Sequence, residues 1–254
     1  MSRIGRDQVL EAIVSGLAGE DYVLALWLEG ADGTNSLDAY SDIDLVCYAK
    51  EGRVNDAVRR MDDALERLGT LDIAYEQPGR PANNRYKAYH LTDTPESLLI
   101  DVTFQGESFP VSFLREDRTV IPLVLLDKAS VVKFGPVDAA SHRSQLQSQL
   151  TQAKGIFSQR SRAVKYTRRG LFLESLAYYH KYVLNSLVDV LRIVHTPLQA
   201  DCFLVHATRD FPAPVVSMLE TLYAVRNVED IAEGIKRAED LFASAVAEAE
   251  RLLP

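Results

Sequence analysis

The chain changes its hydrophobic period once, near its middle, and that change limits the folds open to it. From Leu24 to about Val132, apolar segments of strand length alternate with turns: VLALWLEG, IDLVCYA, TLDIAYEQ, RYKAYHLT, LLIDVTFQ and TVIPLVLLD. One helical segment interrupts them. Between the second and third runs, Val54, Val58, Met61, Leu65 and Leu68 recur at helical spacing and stop at Gly69, a suitable C-cap. From about Ala140 the strand signal disappears, and helical patterns cover roughly 140–166, 170–195, 198–209, 213–225 and 228–252. This order predicts an α+β chain. A mixed-sheet α/β domain over residues 1–135 is followed by an all-α helical bundle over 136–254, with Gly135-Pro136 at the boundary.

Charge and cysteine usage then narrow the function. A formal net charge of −8 argues against non-specific gripping of nucleic acid, whose affinity comes from Lys and Arg neutralising phosphates. No apolar run approaches the ~20 residues of a membrane span, and MSRIGRDQVLEAIVSGLAG is amphipathic rather than a signal-peptide core. A cytoplasmic protein without a membrane partner, monomeric or homodimeric, is the expectation. Cys47 and Cys202 lie far apart in apolar settings, as buried thiols do, and the five histidines show no metal-ligand spacing.

The stretch LWLEGADGTNSLDAYSDIDLVCYAK carries the chemistry. Strand side chains alternate faces, so Asp42 and Asp44 in SDIDL point one way while Ile43 and Leu45 point the other. Two carboxylates about 7 Å apart along a strand repel each other unless a cation is shared between them, and Mg²⁺ takes one or two carboxylates plus phosphate oxygens. A water-exposed sheet edge would also tolerate the pair. The preceding loop supplies Gly30, Gly33, Thr34, Asn35 and Ser36, residues that let backbone N–H groups approach a phosphate or simply make a turn. A third carboxylate, Asp101, interrupts the apolar run SLLIDVTF and needs a partner: a metal, its acidic neighbours in a shared site, or an arginine such as Arg85 or Arg115.

Gly30-Ala31, then Ser41-Asp42-Ile43-Asp44-Leu45, then Ile100-Asp101-Val102, in that order, resemble the motif set of the polymerase-beta-like nucleotidyltransferase superfamily. The layout, with a helical domain after the motif-bearing one, looks like the bacterial aminoglycoside and lincosamide nucleotidyltransferases. The resemblance in motifs covers roughly residues 24–105. It implies transfer of a nucleoside monophosphate from an NTP, ATP being the expected donor, to a hydroxyl of a small acceptor of the aminoglycoside kind. Asp42, Asp44 and Asp101 would hold Mg²⁺, two ions being expected, with Asp101 completing the metal site or taking the acceptor proton. Gly30, Ala31 and Ser41 would meet the nucleotide. The family usually has Gly-Ser or Gly-Gly where this chain has Gly30-Ala31, so a phosphate-facing hydroxyl is lost.

The helical half adds AKGIFSQRSRAVKYTRRG, with Lys154, Arg160, Arg162, Lys165, Arg168 and Arg169 and no acidic residue. Lys165, together with Lys181 further on, is the expected contact to the β- and γ-phosphates; a solvated basic face or an RNA contact is the alternative. Two other functions stay open at this level: a protein- or RNA-directed nucleotidyltransferase, and a non-catalytic nucleotide-binding module.

Overall fold

A computed structural model of the chain describes residues 4–253. Two compact units are present, one ending at Val137 and the other beginning at Asp138. The first opens with helix α1 (Arg6–Leu17), strand β1 (Val23–Leu28), a single turn of helix α2 (Gly30–Gly33), strand β2 (Ile43–Ala49) and helix α3 (Val54–Leu68). Strands β3 (Leu71–Glu76), β4 (Asn84–Leu91), β5 (Ile100–Gly106), β6 (Phe113–Leu114), β7 (Leu123–Asp127) and β8 (Phe134–Gly135) follow.

Six strands form one sheet in the order β3-β4-β5-β2-β1-β7. Only β2 and β5 run parallel, joined through α3 and the β3–β4 hairpin; the other neighbours are antiparallel, so the sheet is mixed. The two faces differ in chemistry. Ile43, Leu45 and Cys47 of β2 and Ile100, Val102 and Phe104 of β5 bury against Val9, Ile13 and Leu17 of α1 and Val58, Met61 and Leu65 of α3. That helix-covered face explains the amphipathic N-terminal segment and the apolar stripe of α3. Burial of the Cys47 thiol there pushes its pKa up to about 12, so it packs as a small apolar group. The opposite face is only partly covered. Ala25, Trp27, Val46 and Tyr48 gather under Phe113, which meets Trp27 edge-on at 5.9 Å between ring centres. The remainder of that face carries Asp44 and Asp101.

The second unit contains α4 (Ala139–Phe157), α5 (Ser161–Thr167), α6 (Phe172–Tyr179), α7 (Asn185–His195), α8 (Ala207–Asp210), α9 (Ala213–Tyr223) and α10 (Val228–Leu252). α4 starts where Asp138 caps the backbone N–H groups of Ala140 and Ser141, and α10 where Asn227 caps that of Asp230. Leu150 of α4, Leu187 and Val190 of α7 and Ile231, Ala238 and Phe242 of α10 share the core. No helix among the described residues is long and apolar enough to cross a membrane.

Two expectations need correction. The segment 198–209 is not a helix: after a short 3₁₀ turn at Pro197–Gln199 it stays irregular until Ala207, with Phe203 and His206 at positive φ. The buried Arg192 guanidinium, donating to the carbonyls of Phe203 and Val205 and pairing with Asp210 at 2.9 Å, holds this bent path. Cys202, expected to be buried, is half-exposed.

Candidate active site

β2 and β5 lie side by side in register, so Asp44 stands directly opposite Asp101. Both side chains are half-buried while their strand neighbours Ile43, Leu45, Ile100 and Val102 are fully packed on the other face, as the alternation predicts. Asp42 lies just before β2 rather than within it, yet its carboxylate turns to the same place. Carboxylate oxygens of Asp42, Asp44 and Asp101 all lie within 4.8 Å of one another. Neither arginine partner serves Asp101. Arg85 is bonded to Glu76 and Asn55, Arg115 donates to the Phe134 carbonyl, and Asp101 instead accepts the Tyr86 hydroxyl at 2.5 Å. Burial, then the Asp101 hydrogen bond and charge, push the Tyr86 phenol up to about 12, so it remains a donor.

The cost of this crowding falls on Asp44. Burial, followed by the charges of Asp42, Asp101, Glu29 and Asp32, raises its carboxyl to about 6. Three converging carboxylates with this much mutual repulsion are the donor set a hard divalent cation takes. Mg²⁺ fits these residues. Asp42, Asp44 and Asp101 would hold it.

A tight turn brings the backbone up against this cluster. Gly30 has φ +59°, and a Cβ built there would sit 2.5 Å from an Asp44 carboxylate oxygen. Gly33 likewise has no room for a side chain, because the Ile121 carbonyl occupies that space. Asn35 takes φ 54°, the left-handed conformation an asparagine accepts. Ala31 lies in the helical turn, its carbonyl accepting from the Ser36 N–H at 3.0 Å. The Ser41 hydroxyl is engaged within the loop, donating to Asp38 at 3.0 Å and accepting the Asp38 N–H at 2.9 Å.

Three residues that the sequence pattern did not single out complete the site. Arg6 of α1 reaches the carbonyls of Ser41 (3.1 Å) and Asp42 (2.6 Å) and pairs with the Asp32 carboxylate, tying the loop to the strand start. Tyr86 fixes Asp101. Glu29, at the end of β1, bonds its N–H to the Asp44 carbonyl at 2.9 Å and its carboxylate to the Trp27 indole N–H at 2.9 Å. Alternation along β4 would have placed Tyr86 on the carboxylate face, whereas Arg6 and Glu29 carry no local signal.

Lys165 and Lys181 belong to the second unit. Both are exposed, with their ammonium groups over the rings of Tyr166 (4.6 Å) and Tyr182 (5.4 Å). Lys165 also lines a groove of about 560 Å³ with Arg160, Arg168 and Arg169. The basic residues are not uniformly free: Arg160 pairs with Glu239 and Lys154 with Glu250.

No protein-family model and no curated protein matches the sequence. Among solved structures, the chain is similar to an aminoglycoside 6-adenyltransferase from Bacillus subtilis, at 12% identity over 98% of this chain and 91% of that one, with a TM-score of 0.39. A nucleotidyltransferase-like protein from Exiguobacterium sibiricum is similar at 13% identity over 98% of this chain and 78% of that one, TM-score 0.39. The spectinomycin adenyltransferase AAD(9) from Enterococcus faecialis, solved with ATP and spectinomycin, is similar at 7% identity over 96% and 98%, TM-score 0.31.

Proposed function

We propose that the protein is a Mg²⁺-dependent nucleotidyltransferase that moves a nucleoside monophosphate from an NTP, with ATP as the donor, to a hydroxyl of a small acceptor of the aminoglycoside kind. The observation that carries this reading is the convergence of Asp42, Asp44 and Asp101 within 4.8 Å beside the Gly30 turn. The bond formed joins the acceptor oxygen to the α-phosphorus; the bond broken is that between the α-phosphorus and the bridging oxygen, and pyrophosphate leaves. Mg²⁺, when bound, neutralises charge on the phosphoryl oxygens and aligns the in-line attack. The chain does the rest. The turn from Gly30 presents backbone close to the carboxylates, Arg6 keeps the loop and Asp42 in place, and Tyr86 holds Asp101. Asp101 either completes the metal set or accepts the proton of the attacking hydroxyl, for which it must lie within hydrogen-bond reach of the acceptor. Lys165 and Lys181, expected from the sequence to be phosphate contacts, are tested separately: charge reversal at a true contact is expected to raise the Michaelis constant for NTP.

Calorimetric titration tests the reading. ATP and a non-hydrolysable analogue are titrated into the wild type and into Asp42→Asn/Asp44→Asn, with and without Mg²⁺. The expected result is Mg²⁺-dependent binding that weakens at least about tenfold in the double variant, the scale on which metal sites respond to loss of their supporting groups. A well-folded wild type that binds no NTP would overturn the assignment.

A further inference from the structure

The cationic stretch of the helical unit ends in a turn that the proposed chemistry does not use. α5 stops at Thr167, and the N–H groups of Arg169 and Leu171 both bond to the Tyr166 carbonyl, at 3.1 and 3.2 Å. Gly170 takes φ +69°, so the chain reverses within a few residues and re-enters helix at Phe172. Arg168, Arg169, Leu171 and Leu173 are gathered at this tip, and all four are exposed. Leu171 is 41% exposed and Leu173 73%, whereas Phe172 and Leu176 pack against the helical core. The two leucines stand outside that core.

Charge around the tip is unbalanced. Lys154 and Arg160 pair with Glu250 and Glu239, but among the described residues Arg162, Lys165, Arg168, Arg169 and Lys181 form no ion pair. In a chain of net charge −8, a run of cations without acidic partners marks a surface whose counter-charge comes from outside. Single-stranded nucleic acid is held by bases stacking on open aromatic faces beside such cations. Here the rings are already engaged: Tyr178 stacks on Tyr166 at 5.0 Å and on Tyr182 at 5.6 Å, with Lys165 over the first of these and Lys181 over the second. What the tip leaves open is aliphatic.

From this combination we infer that the α5–α6 turn docks the helical unit on an anionic phospholipid surface. Leu171 and Leu173 enter the boundary between headgroups and acyl chains, while Arg168 and Arg169, with Arg162 and Lys165 on α5, meet the lipid phosphates. Single exposed leucines are ordinary surface. Two of them within one turn, beside unpaired guanidiniums, make an interfacial contact, because apolar burial and charge attraction add where either alone binds weakly and reversibly. Docking of this kind needs no spanning helix. The inference goes beyond the nucleotidyltransferase reading, does not depend on it, and revises the sequence expectation of no membrane partner.

Vesicle flotation with the full chain tests it. The vesicles are phosphatidylcholine alone, or phosphatidylcholine and phosphatidylglycerol in equal parts, and the variants are Arg168→Glu/Arg169→Glu and Leu171→Ser/Leu173→Ser. All four positions are exposed, and circular dichroism with thermal unfolding confirms that each variant is folded. Binding to the anionic vesicles only, weakened at least about tenfold by either double variant, is the expected result. No binding to the anionic vesicles, equal binding to both compositions, or undiminished binding by the leucine variant overturns the inference. Saturable binding of a labelled oligouridylate by a protein that ignores both vesicles also overturns it, and assigns the cations to nucleic acid instead. The wild-type comparison of the two compositions keeps the test decisive where a variant fails to fold.

Discussion

Gly30 joins backbone conformation to site chemistry in one atom. Its φ of +59° is a conformation that costs an ordinary L-residue about 1–2 kcal/mol, and the added Cβ of an alanine would meet an Asp44 oxygen at 2.5 Å. Gly30→Ala is therefore expected to lower stability by about 1–2 kcal/mol in urea denaturation and also to displace Asp44, so that Mg²⁺-dependent ATP binding is lost beyond what the stability change explains. Retention of wild-type affinity by a folded Gly30→Ala protein would separate the turn from the carboxylate site. Much of this was legible in the sequence, because a charged residue at an alternating position of an apolar strand has few inexpensive explanations, and Asp44 and Asp101 each occupy one. Glu29 was not legible. A glutamate at the end of a strand is ordinary, and only the ladder that sets it opposite Asp44, together with the Trp27 hydrogen bond, gives it a direction. Arg6 was hidden for a different reason: it reaches residues 35 and 36 positions away through tertiary structure, which no local pattern encodes.

At the scale of elements, the β3–β4 hairpin is fastened by a histidine with both ring nitrogens engaged. His90 Nδ1 lies 2.6 Å from Asp72 of the neighbouring strand, and Nε2 lies 3.0 Å from the Pro95 carbonyl. Burial disfavours the charged ring, but the Pro95 carbonyl and then the Asp72 carboxylate outweigh it and hold the imidazole above its ordinary value. The same hydrogen bond from His90 lowers the Asp72 carboxyl. A raised histidine pKa contributes stability that is full below its unfolded value of about 6.5 and fades as pH rises through the folded value. A lowered aspartate contributes above about 3.9 and loses that contribution as pH falls through its folded value. The pair is thus strongest between those limits. His90→Asn is expected to cost about 1–2 kcal/mol near pH 5 by urea denaturation, with the gap to wild type narrowing toward about pH 9. A gap independent of pH would mean that the ring acts by packing alone. Element type was well marked where a period ran long, as in α3 and α10, and poorly marked over 198–209, where a helix-like composition is overruled by the carbonyl-collecting Arg192 and two residues at positive φ. The π-helical turn at His180–Leu184, inside the segment expected as one helix over 170–195, is equally silent in sequence, since it changes hydrogen-bond partners without changing which residues are apolar.

For the whole molecule, the change of hydrophobic period maps onto two separately closed cores. The sheet unit packs its apolar residues between the sheet and α1 and α3, with a second small cluster around Trp27; the helical unit packs Leu150, Leu187, Ile231 and Phe242 into a core of its own. A unit with its own core has its own unfolding free energy, and a single two-state transition is then not guaranteed. Leu187 is fully buried, so Leu187→Ala removes core volume from the helical unit alone, at a cost of about 2–5 kcal/mol. Trp27, buried in the first unit, serves as the probe of the other core. Thermal unfolding of Leu187→Ala followed by helical circular dichroism is expected to show an early transition absent from the wild type, while the Trp27 emission transition stays near its wild-type midpoint. Coincident shifts of both signals would show instead that the two cores unfold together, and the stability of the carboxylate site would then depend on every layer of the helical unit.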